Sequence, residues 1–152
     1  MEEDKRRISR IPGALTVSLT ICDAVTNEKV AGPLNADLKD VTPLGVGVCL
    51  DQVLFENNHF FYAVFDSDLL SLFLEFSLPD ESVEKQIIHV KPIWFNRNDD
   101  RNAHLFQMGL EFVHGTDSKL IETLMGVFFG ETGTRRGGFQ NLMDKVKNVF
   151  NK

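Results

Sequence analysis

Apolar and polar residues alternate along "LTVSLTI": Leu15, Val17, Leu19 and Ile21 are apolar, while Thr16, Ser18 and Thr20 are polar. A period of two predicts a strand with one face buried. "TNEK" (26–29) then predicts a turn, with a short strand at about 29–32. "ADLKDV" (36–41) and "GVGVCL" (45–50) read as two strands joined by "TPLG". The aromatic run "HFFYAVF" (59–65) is expected to be a strand as well. In "SLFLEFSL", Leu72, Leu74, Phe76 and Leu78 again alternate with their neighbours. "VEKQIIHVKPIWF" (83–95) predicts a further strand, in which Pro92 marks a bulge or an edge position. The polar stretch "NRNDDRN" (96–102) then turns the chain into the return strand "LFQMGLEFV" (105–113).

The period then changes. After "HGTDSK", Leu120, Ile121, Leu124, Val127 and Phe128 fall on one face of a helix. Thr116 or Asp117 can cap its start, and Gly130 is the expected end. Many short strands followed by a helix predict a sandwich or a barrel with a helix packed on it. "ETGTRRGG" reads as a hinge. Beyond it, "FQNLMDKVKNVF" (139–150) places Phe139, Leu142, Met143, Val146, Val149 and Phe150 on one side of a short amphipathic helix.

A chain of 152 residues with 43% hydrophobic and 25% charged residues fits one ordinary globular domain. No apolar run approaches the ~20 residues of a membrane span, and the N-terminus lacks the pattern of a secretory signal. Cys22 and Cys49 both fall in strand patterns and read as reduced, buried thiols, which points to the cytoplasm. The net charge is −6, unevenly spread. Residues 11–130 carry seven cations against seventeen anions, which excludes broad nucleic-acid binding. Residues 5–10, by contrast, hold four cations, Lys5, Arg6, Arg7 and Arg10.

Chemistry that would mark an enzyme is not apparent. His59, His89, His104 and His114 form no pair with metal-ligand spacing. Neither a phosphate-binding P-loop nor a dinucleotide glycine fingerprint occurs. Cys49 lies in an apolar strand with no basic residue beside it in sequence. No catalytic residue, metal or cofactor is therefore expected.

Two segments suit an anionic nucleotide. A guanidinium presents paired donors that match phosphate oxygens or the O6 and N7 of guanine, and Arg6 and Arg10 can grip a ligand from two sides. In "DVTPLG", Asp40 can accept from the N1–H and exocyclic amine of guanine, Thr42 offers a hydroxyl, and Gly45 permits close backbone approach. "RRISRIP" followed by "KDVTPLG" closely resembles the PilZ domain family. Its hallmark is an R-x-x-x-R arm ahead of the first strand and a D/N-x-S-x-x-G loop some thirty residues on. Arg6 and Arg10 fit the first motif, and Asp40, Thr42 and Gly45 the second, with threonine where serine is usual. The strand "GLEF" (109–112) and the following helix resemble the family's closing elements.

The resemblance spans about residues 5–130. It implies a mainly β fold: a six-stranded antiparallel β-barrel of the split-barrel kind with a C-terminal helix, to which the sequence adds the amphipathic tail helix. It also implies a non-catalytic bacterial receptor for cyclic di-GMP. The implied organisation is a binding arm at 1–13, a barrel with its closing helix at 14–130, and a hinge and tail helix at 131–152. By the same resemblance, Arg6, Arg10, Asp40, Thr42 and Gly45 bind the ligand. Lys5 and Arg7 are further arm candidates, and Trp94 sits where the family can present a side chain to the ligand. The expected output is arm ordering read by a partner protein in motility, adhesion or exopolysaccharide (biofilm) control; the tail helix is expected either to pack on the barrel or to dock a partner or a second copy. A homodimer is open, and membrane association is not expected. The alternative is a PilZ-like protein-interaction module that binds no nucleotide.

Overall fold

The computed structural model of the chain describes residues 15–78, 85–97 and 105–132. The basic arm with Lys5, Arg6, Arg7 and Arg10, and the tail helix expected at 139–150, lie outside the described residues. Eight strands and one helix are described: β1 (Leu15–Asp23), β2 (Lys29–Val41), β3 (Gly45–Leu50), β4 (Leu54–Phe55), β5 (Asn58–His59), β6 (Leu70–Ser77), β7 (Lys85–Arg97), β8 (Phe106–Phe112) and α1 (Ser118–Thr132). Six strands close into a barrel in the order β1-β2-β3-β8-β7-β6, and all neighbours are antiparallel. The choice between sandwich and barrel is thus settled for the barrel. β4 and β5 form a small separate hairpin.

The alternation read from the sequence sets which way each strand faces. Leu19, Ile21, Leu38, Val48, Leu72, Leu74, Ile88, Met108 and Leu110 are all buried in one core. Each such side chain contributes about 1.5–3 kcal/mol on burial. From the strand pairing, Leu15, Val41, Gly45, Ser77, Lys85 and Phe112 gather at one end of the barrel. Asp23, Leu50, Leu70 and Arg97 lie at the other. The chain leaves β8 at the first end, turns, and enters α1, which packs against β1 and β2. Its Ile121, Leu124, Met125, Val127 and Phe128 join the core. Among the described residues no helix is long and apolar enough to cross a membrane.

Several local expectations change. The strands expected at 29–32 and 36–41 are one strand of 13 residues. Gly32, with a φ of +121°, and register shifts opposite Leu19 and Ile21 bend it without ending it. Beyond His59, which ends β5, the 59–65 run is not a strand. It is a turn of helical character, with Ala63 N–H donating to the His59 carbonyl at 2.9 Å and Phe65 N–H to the Phe61 carbonyl at 2.8 Å. His59 starts it: its Nδ1 accepts from Phe61 N–H at 3.1 Å and Tyr62 N–H at 2.9 Å. Phe60, Phe61 and Val64 are buried, a helical spacing that an unbroken apolar run conceals. In α1, Asp117 is the cap, its carboxylate accepting from Lys119 N–H at 3.0 Å. Gly130 does not end the helix, which continues to Thr132. The bulge expected at Pro92 is present as a register shift between Pro92 and Trp94.

Candidate functional site

The outward-facing residues of β2, β3, β8 and β7 form rows across the barrel wall. Nearest the helix end, Gly45 pairs with Glu111, which pairs with Lys91. The next row runs Asp40, Gly47, Gly109, Trp94, one residue from each of four adjacent strands. Below it, Asp37 pairs with Cys49, Cys49 with Gln107, and Gln107 with Asn96. The middle row brings together two residues that the sequence singled out separately, Asp40 from the loop motif and Trp94 from the late strand.

Its two central glycines explain how. A Cβ on Gly47 would lie 2.7 Å from Asp40 Oδ1, so the Asp40 carboxylate folds over the bare backbone of position 47. A Cβ on Gly109 would overlap Nε1 and Cε2 of Trp94, so the indole lies across position 109. Gly47 and Gly109 are themselves paired. A carboxylate and an indole therefore converge over adjacent glycines. Among the described residues Asp40 has no hydrogen-bond or ion-pair partner, and its side chain is exposed. Trp94 is 43% exposed. This is an acceptor for N–H groups beside an exposed aromatic surface, which is what a purine base requires.

β2 reaches this geometry through a bulge. The register shifts between Leu38 and Asp40, which puts Asp40 on the outer face one residue before the strand ends. Asp37, on the same face, is 5% exposed and takes a hydrogen bond from the Thr16 hydroxyl at 3.3 Å. Burial, reinforced by Asp37, Asp40 and Asp51, pushes the Cys49 thiol up, with Lys39 opposing. Cys49 is thus held as the neutral thiol and is a poor nucleophile.

The loop after Asp40 is closed by Thr42. Its hydroxyl accepts from Leu44 N–H at 3.1 Å and Gly45 N–H at 3.2 Å, and donates to the Gly45 carbonyl at 3.3 Å. The Thr42 N–H also donates to that carbonyl at 2.8 Å. The Leu44 carbonyl accepts from Phe112 N–H at 2.8 Å, tying the loop to β8. Gly45 is needed sterically: a Cβ there would overlap the Leu110 carbonyl oxygen of β8. Gly45 therefore supports the loop's position, and Leu44 is left 63% exposed at its tip. A groove of about 530 Å³ between this loop and the 113–116 turn has Phe112 and Ile121 among its lining, with Lys91, Glu111 and His114. Neither Asp40 nor Trp94 lines it.

Of the expected binding residues, Asp40, Thr42, Gly45 and Trp94 thus fall on one side of the barrel, from β2 across to β7. Lys5, Arg6, Arg7 and Arg10 lie outside the described residues. Sequence reasoning did not pick out Gly47 and Gly109. Their signal was a glycine inside a strand pattern, in "GVGVCL" and in "MGLEF", which marks a close approach. No group of acidic, histidine or cysteine side chains suited to a metal occurs among the described residues.

No protein-family model matches the chain, and no curated protein matches it. Among solved structures, the chain is similar to the crystal structure of the Borreliella burgdorferi PlzA protein in complex with c-di-GMP. The identity is 11% and the TM-score 0.45, over 88% of this chain and 50% of that one. The chain spans about half the length of that protein.

Proposed function

We propose that this protein is a non-catalytic cytoplasmic receptor for cyclic di-GMP, with the ligand held between the R-x-x-x-R arm and the barrel wall. The observation that carries the reading is the convergence of Asp40 and Trp94 over paired glycines, close to where the arm joins the barrel.

The chemistry divides the ligand. A carboxylate repels a phosphate, so Asp40 takes the guanine edge, accepting from N1–H and the exocyclic amine. The Trp94 indole offers its face to the flat base. The phosphates are left to cations, which the wall near Asp40 does not supply in excess and the arm does. Arg6 and Arg10 supply paired donors for them, with Lys5 and Arg7 adding charge.

Reach permits this. Leu15, the first residue of β1, pairs with Leu38, two residues before Asp40. Arg10 is five residues before Leu15, a span of at most ~17 Å when extended. The arm can therefore return over the outer wall at Asp40. Binding draws it onto the barrel, and a partner protein reads the change, in motility, adhesion or exopolysaccharide control. The 139–150 segment is the proposed docking element, for that partner or for a second copy.

Calorimetric titration with cyclic di-GMP tests the reading and gives its stoichiometry. Binding is expected at micromolar dissociation constants or below. Arg10→Ala, which removes a charge-assisted contact worth about 1.5–3 kcal/mol, is expected to weaken binding at least tenfold. No heat from the unaltered protein, or unchanged affinity in Arg10→Ala, overturns the assignment.

A further inference from the structure

We propose that the barrel end marked by Asp23, Leu50, Leu70 and Arg97, with the groove that runs from it along β7, docks a basic amphipathic helix of a partner protein. The proposal stands independently of the cyclic di-GMP reading.

Apolar side chains gather at this end in the open. Val25, in the turn after β1, is 85% exposed, and Leu69, just before β6, is 74% exposed. The two turns are joined, since Ala24 N–H donates to the Leu69 carbonyl at 2.9 Å. Tyr62 and Phe65, three residues apart on the helical turn that leads to Leu69, are exposed as well. Apolar residues scattered singly over a surface need no explanation, but a group brought together by the fold marks a contact site. The group is also held still. Phe65 is the outer end of a column of stacked rings: it lies 4.9 Å from Phe61, Phe61 lies 5.5 Å from Phe95, and Phe95 lies 5.5 Å from Phe106. The Ser67 hydroxyl accepts from Leu69 N–H at 3.0 Å and Leu70 N–H at 3.3 Å, which fixes the loop between Phe65 and β6. A surface ordered in advance loses little freedom on binding. Beside it, a groove of about 450 Å³ has Phe65, Leu70, Pro92 and Ile93 in its lining, with Asp66 and Asp68. Lys91, which also lines it, pairs in register with Glu111. The charge around this end has one sign. Segments 20–28 and 51–70 carry Asp23, Glu28, Asp51, Glu56, Asp66 and Asp68, and neither lysine nor arginine. A second copy set face to face would bring these carboxylates against themselves. Lysine and arginine on a partner meet them favourably, and their long stems cover apolar surface beside the charge. Apolar anchors flanked by carboxylates thus suit a helix with one apolar and one basic face.

Titration of the full chain with a short amphipathic peptide of leucine and lysine, followed by the protein's amide NMR signals, tests this. Shifts are expected at residues 23–26, 62–71 and 89–93, with no response to the leucine–glutamate counterpart. Asp66→Asn with Asp68→Asn is expected to weaken binding about tenfold at low salt, and Val25→Ser with Leu69→Ser about fivefold. All four side chains are exposed, and asparagine tolerates the φ of +62° at position 66, so the melting temperature is expected to match the parent's. Shifts centred elsewhere, equal binding of both peptides, or unchanged affinity in either variant overturns the proposal. Two other occupants would overturn it as well. Self-association of the unaltered protein in sedimentation, lost in Val25→Ser with Leu69→Ser, would make the occupant a second copy. Peptide affinity that rises in Lys145→Glu with Lys147→Glu would make it the chain's own 139–150 segment.

Discussion

The indole of Trp94 rests on Gly109, with Cδ1 2.7 Å from where a Cβ at position 109 would stand. Alanine at 109 must lift the ring off the wall. Trp94 is the sole tryptophan of the chain, so its fluorescence reports this one contact. Gly109→Ala is expected to shift the emission of the ligand-free protein and to weaken cyclic di-GMP binding at least fivefold. Adding ligand to the unaltered protein is expected to change the emission with the same midpoint as calorimetry. An emission spectrum indifferent to saturating ligand would remove Trp94 from the site.

In the proposed site, Asp40 is the residue expected to set the choice of base. Guanine offers two N–H groups on one edge, whereas adenine N1 offers a lone pair that a carboxylate repels. Cyclic di-AMP is therefore expected to bind at least a hundredfold more weakly than cyclic di-GMP. Asp40→Asn exchanges a charge-assisted acceptor for a neutral one, at a cost of about 1 kcal/mol, or roughly fivefold. Competitive titration of the two dinucleotides against both proteins measures each ratio.

Gly45→Ala probes the frame beneath the site. The added carbon meets a backbone carbonyl of β8, not a yielding side chain. β3 and β8 must part locally, and the expected destabilisation is about 1–3 kcal/mol. Denaturant unfolding of the variant beside the parent would show it as a lowered midpoint.

His59 gives the fold a pH dependence. Its Nδ1 accepts two backbone N–H groups, which requires the neutral ring on that side. Burial lowers its pKa below the ordinary 6.5, and burial followed by the neighbouring Lys91 does the same for His89. The unfolded chain thus takes up protons more readily than the folded one. The contribution of both histidines to stability is full above about pH 6.5 and is lost as the pH falls below it. Melting temperature is expected to drop between about pH 7 and 5. His59→Asn, which retains an acceptor and does not titrate, is expected to flatten part of that drop. An identical slope in the variant would exclude His59.

Much of the architecture could be read from residue order, and the failures have physical causes. Leu15 to Ile21 and Leu72 to Phe76 alternate cleanly because each strand has one face in the core and one on the wall. At 59–65 nearly every residue is apolar, so neither period stands out, and the deciding feature was the His59 ring bonding forward to the backbone. Gly130 looked like a helix end, yet the helix runs two residues past it. For the site, Asp40, Thr42 and Gly45 were legible as a motif, but their division of labour was not. Which atoms Thr42 engages is a matter of turn geometry. That Asp40 and Trp94 fall in one row depends on four strands lining up through two bulges, which no local pattern encodes.

The closed β1-β2-β3-β8-β7-β6 ring has a consequence for how occupancy could be broadcast. Every strand in it already has two neighbours, so the ring offers a protein recruit no main-chain seat for an extra strand. Recognition of a liganded form of the proposed receptor would have to read side chains and surface relief in place of an added strand.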